Sequence, residues 1–333
     1  MRKIINNPDN FVDEMIEGLI LAHPGLLRLA SADNRVLVRV DSPVKGKVGI
    51  VTGGGSGHLP LFKGYVGRGL ASGVAIGNVF SSPSSSQCLE ATRAVSGGAG
   101  VLYLYGNYGG DVLNFDLASE MAEIESIETR TVLGCDDVAS QPKERSADRR
   151  GVAGIFFAFK AAGAAAERGD SLDEVAAAAQ DVVDNTGTMG IGLSPTIFPT
   201  TGKPSFELPE GEMEVGIGIH GETGIHRGAL ETADEIVTRL LEPIVADLSL
   251  GSGDSVAVLV NGMGSTPLEE LYVMYRQVSK LLAGRGISID KSYIGEYATS
   301  LEMAGASLSL LKLNAARLEL LNAPAESPFF REG

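Results

Sequence analysis

The sequence predicts an α/β protein in two units, and three observations carry that prediction. Short apolar runs end in glycine-rich turns, as Val48–Val51 does before Gly53-Gly54-Gly55-Ser56-Gly57-His58 and Gly100–Tyr105 does before Gly106-Asn107-Tyr108-Gly109-Gly110-Asp111. Stretches with apolar residues three and four apart alternate with those runs, the pattern of strands and helices that share a sheet. A length of 333 residues favours two domains over one.

The elements follow in chain order. Phe11, Met15, Leu19 and Ala22, with Val12, Ile16 and Ile20 beside them, mark a helix capped by Asn10 and stopped before Pro24. The two strand-and-glycine units come next. Asp136 to Arg150 is polar with charges of both signs, and Gly151–Arg168 and Ser171–Asp184 read as Ala-rich helices. Thr186 to Glu214, rich in Gly, Pro and Thr, is expected to be the boundary, which divides the chain into 1–185 and 186–333. A second series follows: an apolar stretch at Val215–Ile219, a helix around Ala229–Leu248, the strand Ser255–Val260, a helix opening near Pro267 and a strand over Ala306–Leu313.

Composition narrows the function. With 44% hydrophobic and 21% charged residues the chain reads as globular, neither disordered nor membrane-spanning. A net charge of −15 repels phosphate backbones and anionic lipid, so neither nucleic acid nor membrane is an expected partner. Cys88 and Cys135 are too few for a disulfide framework, and MRKIINNPDN has no apolar signal segment, so a cytoplasmic location is expected. The 43 glycines are clustered, as where backbone approaches a ligand.

The loop Gly53–His58 fails three familiar patterns. No Lys-Ser or Lys-Thr follows it as in a P-loop, His58 or Pro60 stands where a dinucleotide fingerprint needs its third glycine, and His58 again replaces the last glycine of a nucleophile elbow. What is left is either a backbone cradle ending in an imidazole or a tight turn with an incidental histidine. Of the four histidines, His23 suits a helix end. His220 lies between glycines at a strand exit, with Glu222 placed to orient its ring; it reads equally as a catalytic imidazole and as a loop histidine. A zinc site of His220, Glu222 and His226 lacks the H-E-x-x-H spacing. Asp111 is either a chemical carboxylate or a helix N-cap, and Asp136-Asp137 reads as a solvated turn rather than an acidic metal site.

Together these residues resemble the substrate-binding K subunit of dihydroxyacetone kinase. The likeness covers nearly the whole chain: Gly53–His58 for G-G-G-S-G-H, Gly64-Tyr65, Phe80–Pro83, Asn107–Phe115 for N-Y-x-G-D-x-x-N-F, Arg149–Gly154, Gly218–Gly221, Gly264–Tyr272, Ile294-Gly295 and Thr299–Leu301. The resemblance implies a ketose kinase in which His220 adds to the substrate carbonyl as a hemiaminal, a bond that glycerol, lacking a carbonyl, cannot form. It implies that Asp111 takes the proton of the attacking hydroxyl, that His58 assists, and that Gly55, Ser56 and Gly57 supply loop contacts. The fold expected with it has mixed, largely parallel sheets and a substrate pocket made by loops of both units.

No cofactor is expected on this chain. ATP or ADP with Mg²⁺ would sit on a separate nucleotide-binding L-type subunit, or on a fused domain for which this chain is too short, and a phosphotransferase-system carrier is a possible donor. A homodimer is expected. Two departures bear on the substrate: Gly106 stands where the family commonly has Lys, and Leu59 where Glu is common. Both suggest room for a larger ketose such as erythrulose. A catalytically silent ketose-binding regulator is the other alternative, and the presence of Asp111 argues against it.

Overall fold

In the computed structural model, which describes residues 3–333, helix α1 (Phe11–Ala22) turns Val12, Ile16 and Leu19 inward, as its apolar spacing requires. Asn10 makes no side-chain cap. Asn7 instead accepts from the Asp9 N–H in a preceding 3-10 turn, and the His23 N–H closes the helix on the Leu19 and Ile20 carbonyls.

Six strands form the first sheet: β1 (Leu27–Leu29), β2 (Val36–Arg39), β3 (Gly49–Ser56), β4 (Gly73–Val79), β5 (Val101–Gly106) and β6 (Thr129–Gly134), in the order β1-β2-β4-β3-β5-β6. The last four run parallel to one another, and β2, antiparallel to β4, and β1, antiparallel to β2, complete one edge. Helices α2 (Ser85–Val95) and α3 (Gly109–Ile124) supply crossovers and pack Leu89, Phe115 and Ala118 on one face. The glycines expected to form a loop after β3 are its final residues. Both faces of this sheet are covered so closely that a Cβ at Gly53 would lie 2.8 Å from the Phe115 ring, so the strand continues through small residues.

The opposite face is covered by α4 (Ile155–Arg168) and α5 (Leu172–Asp184). Ser171 and Glu174 form a capping box on α5. The start of α4 is held by Asp136, whose carboxylate accepts from the Val152 and Gly154 N–H groups at 2.9 and 2.8 Å. Asp136 is therefore a buried cap and not part of a solvated turn.

The second sheet comprises β7 (Thr186–Ser194), β8 (Glu212–Val215), β9 (His226–Ala229), β10 (Ser255–Gly262), β11 (Ser288–Gly295) and β12 (Ala304–Lys312), in the order β11-β10-β12-β7-β8-β9. Helices α6 (Ala233–Asp247) and α7 (Leu268–Gly284) cover one face, with Leu240, Ile244, Leu271 and Val278 on Val256, Val258 and Leu308. The sheet is mixed, as expected, yet only β10 and β11 are parallel and every other pairing is antiparallel. Parallel pairing needs a crossover element, and α7 between β10 and β11 provides it; β7, β8 and β9 are joined by direct returns. The segment expected as a boundary loop starts with β7, a central strand, because Gly and Thr there suit a sheet packed on both faces.

Ala257, Leu259 and Leu311 of the second sheet share one core with Ile50, Leu102 and Leu104 of the first, through Phe156, Phe157 and Phe159 of α4. The chain ends with α8 (Ala315–Asn322), which packs on α4, and a small hairpin of β13 (Ala325–Glu326) and β14 (Arg331–Glu332). This shared core fixes the C-terminal ends of β3, β4 and β5 opposite the loop between β8 and β9. Ends of parallel strands are where α/β sheets present loops for chemistry.

Candidate functional site

The β8–β9 loop is pinned by buried Ile217 and Ile219, so that the next residue, His220, is held partly exposed. Its Nδ1 donates to Glu222 Oε1 at 2.8 Å, and its backbone N–H donates to Glu222 Oε2 at 3.0 Å. Burial alone would raise the Glu222 pKa, but the hydrogen bond from His220 and the His220 and Arg150 charges hold it down to about 2. An ionised carboxylate only accepts hydrogen bonds, which places a ring hydrogen on Nδ1 and leaves Nε2 as the ring nitrogen without a protein partner. Gly218 makes this possible, because a Cβ there would stand 2.0 Å from Glu222 Oε2 and 2.8 Å from Arg150 Nη1.

Arg150 extends the chain of charges. It donates from Nε to Asp137 Oδ2 at 2.8 Å and from Nη2 to the Gly216 carbonyl at 3.1 Å, and its Nη1 lies 3.9 Å from Glu222. Asp137 is 1% exposed, so it too leaves the solvated turn expected for it. Burial raises its carboxyl to about 6, against the opposing pull of Arg150.

His58 follows the end of β3 and is fully buried. Its Nδ1 lies 2.8 Å from the Thr299 carbonyl, which can only accept, so Nε2 carries the lone pair. Burial, then the nearby His220, push its pKa well below the ordinary value, and the ring is neutral. Its centroid is 4.7 Å from that of His220 at an interplanar angle of 83°. Phe80 stacks on His58 at 4.8 Å and meets His220 edge-on at 5.2 Å; Tyr108 meets His220 at 4.8 Å and 90°. Gly57, at φ +108°, admits this stack, since a Cβ would be 2.6 Å from the Phe80 ring.

Asp111 is in the first turn of α3, whose N-cap is Tyr108, so the cap reading does not hold. Burial raises its carboxyl to about 6, and a hydrogen bond from Ser82 and the charge of His220 oppose the rise. Asp111 Oδ1, His58 Nε2 and Tyr108 Oη are all buried without a hydrogen-bond partner. Buried polar atoms are nearly always paired, so the lone atoms of His58 and Tyr108, whose rings pack on His220, and of Asp111 are open to a polar ligand.

The structure thus packs His58 against His220, with Gly57 admitting the Phe80 ring that touches both, and places Asp111 within reach of the His220 charge. Gly55 and Ser56 lie inside β3, and the Ser56 hydroxyl is committed to the Gly77 carbonyl at 2.9 Å. His226 is exposed on β9, and among the described residues no group of metal-ligating side chains assembles. The space expected beside Gly106 is taken: a Cβ there would lie 3.2 Å from Tyr108 Cε2 and 3.3 Å from the Gly151 carbonyl. Phe80, Tyr108, Arg150 and Thr299 were not picked out individually from the sequence, although each falls within a motif of the family resemblance.

The family described as the Dak1 domain matches residues 17–329. The dihydroxyacetone-binding subunit DhaK of PTS-dependent dihydroxyacetone kinase 2 from Listeria innocua is 44% identical over 331 residues, 99% of each chain. L-erythrulose 1-kinase of Mycolicibacterium smegmatis is 41% identical, covering 100% of this chain and 58% of its own length. Among solved structures, the dihydroxyacetone kinase operon co-activator Dha-DhaQ superposes with a TM-score of 0.89 at 33% identity, over 96% of this chain and 98% of that one. The dihydroxyacetone kinase of C. freundii in complex with AMP-PNP and Mg²⁺ gives 0.89 at 31% identity, over 99% of this chain and 61% of that one. By its match over residues 17–329 and its 44% identity to a DhaK subunit over 99% of each chain, this chain belongs to the Dak1 family, that of the dihydroxyacetone kinase K subunits.

Proposed function

We propose that this chain binds a short ketose covalently on His220 and presents it for phosphorylation as the ketose-binding subunit of a dihydroxyacetone-type kinase. The observation that carries the reading is a His220 ring held through Nδ1 by Glu222, with two rings packed against it, His58 and Tyr108, that each carry a partnerless polar atom. His220 Nε2 attacks the ketose carbonyl carbon, the C=O π pair moves to oxygen, and that oxygen takes a proton from solvent to become the hemiaminal hydroxyl. The positive charge left on the ring is held by ionised Glu222 across the Nδ1–H bond. A ligand of few atoms gains little from contact alone, and the covalent bond adds both anchoring and orientation. His58 Nε2 accepts a hydrogen bond from a ketose hydroxyl, and Asp111 removes the proton of the hydroxyl that attacks phosphorus.

Nucleotide and Mg²⁺ supply the phosphoryl group and neutralise its charge. The residues of this site do not suit them: its acceptors are two imidazoles and single carboxylates, and no Lys-Ser or Lys-Thr pair follows the glycines. No step on this chain is therefore assigned to that group, and the reading places it on an L-type partner subunit. The same reading includes a homodimer, units 1–185 and 186–333 that both contribute to the pocket, and a cytoplasmic location; no helix among the described residues is long and apolar enough to cross a membrane. A larger ketose is the second reading, favoured by the likeness to L-erythrulose 1-kinase.

The test mixes the purified chain with candidate nucleotide subunits, ATP or a phosphotransferase carrier, and three- to five-carbon ketoses. Ketose phosphate is expected only with both partner and ketose present. Ketose phosphate made from ATP by the chain alone would contradict the division of labour.

A further inference from the structure

Lys63 is a buried cation that makes no hydrogen bond to the ketose-site residues, although its charge is among those that lower the His58 pKa. It is 2% exposed, and among the described residues its ammonium has neither a hydrogen-bond partner nor an ion pair. An ammonium withdrawn from water without a counter-charge is costly, so such a group is informative where it lines a cavity. Lys63 lines one of about 440 Å³, within the range of roughly 300–1,000 Å³ that encloses small ligands.

The walls of that cavity define its ligand. Ile5, Phe11, Met15, Leu59 and Leu301 make it mostly apolar. Three other charged groups reach it. Lys3 and Glu302 neutralise one another in an ion pair, and Glu296 carries a carboxyl whose pKa is raised by burial, which eases its neutral form. The backbone of Ser56 and Gly57 is the wall shared with the ketose site, and Phe80 stacks on His58 within that site. A short polyhydroxy ketose has neither the charge to answer Lys63 nor the apolar body to cover these walls.

We propose that this cavity is a second binding site, for a small carboxylate with an apolar body, whose carboxylate pairs with the Lys63 ammonium and whose hydrocarbon part lies on Phe11, Met15, Leu59 and Leu301. Charge and apolar surface are both required. Hexanol supplies only the second and inorganic phosphate only the first, which makes the three compounds a discriminating set.

Calorimetric titration of the full chain with hexanoate, hexanol and inorganic phosphate tests the site. Hexanoate is expected to bind at least about tenfold more tightly than either control, the factor set by one charge-assisted hydrogen bond. Lys63→Met should abolish that preference. Because the variant could misfold, modification of Lys63 by trinitrobenzenesulfonate in the unaltered protein, located by peptide mass, provides a second reading; hexanoate should slow it. Hexanoate binding no tighter than hexanol, a preference that survives in Lys63→Met, or Lys63 modification indifferent to hexanoate would each overturn the proposal.

Discussion

Burial raises the Asp111 carboxyl from the ordinary value of 3.8 to about 6, so the fold favours its protonated form. The stability this contributes is complete below the unfolded value and is lost as pH rises through about 6, whereas a base must be ionised to act. Asp111→Asn removes the charge and keeps the shape. Above pH 6 that variant should be more stable than the parent by about 1–3 kcal/mol, with the difference vanishing below about pH 4, when denaturant unfolding is followed against pH. Its ketose phosphorylation with the partner present should fall by roughly 10²–10⁴, and the parent's rate should decline as pH drops through about 6. An unchanged rate in the folded variant would make His58 the better base. At this scale the sequence was informative where partners lie close in the chain: His220 and Glu222 are two residues apart, and their pairing could be anticipated. Arg150 reaches Glu222 and Asp137 only because a loop folds back, and no local pattern announces such a contact.

Among the elements, α4 depends most on a single side chain. Asp136 accepts from two N–H groups at its start while wholly enclosed, so Asp136→Ala leaves buried donors unpaired. A loss of about 1–3 kcal/mol in urea unfolding is expected, less for Asp136→Asn, which keeps one acceptor. Because α4 separates the two sheets, the same change should also weaken ketose binding. Helices with clear apolar periods or capping boxes, such as α1 and α5, were legible within a few residues of their ends. The glycine end of β3 and the Gly-Thr strand β7 were read as loops, because small residues signal turns locally while a sheet packed on both faces also demands them. The antiparallel majority of the second sheet was hidden for a related reason: strand direction follows from the length of the connections between strands, and these depend on locating β8 and β9.

At the scale of the whole molecule, neither sheet makes the site alone. β3, β4 and β5 deliver His58, Phe80 and Tyr108, and the β8–β9 loop delivers His220, with one shared core fixing the distance between them. The central claim is that a ketose is held on His220 by a bond to carbon, and carbon NMR of a ketose labelled at its carbonyl and bound to the full chain reads that bond directly. The bound label is expected to lose its carbonyl resonance and appear as a tetrahedral carbon, in Asp111→Asn and His226→Ala as in the parent, and to show no such carbon in His220→Ala. A bound ketose that keeps its carbonyl resonance, or a tetrahedral carbon that persists without His220, would contradict the account.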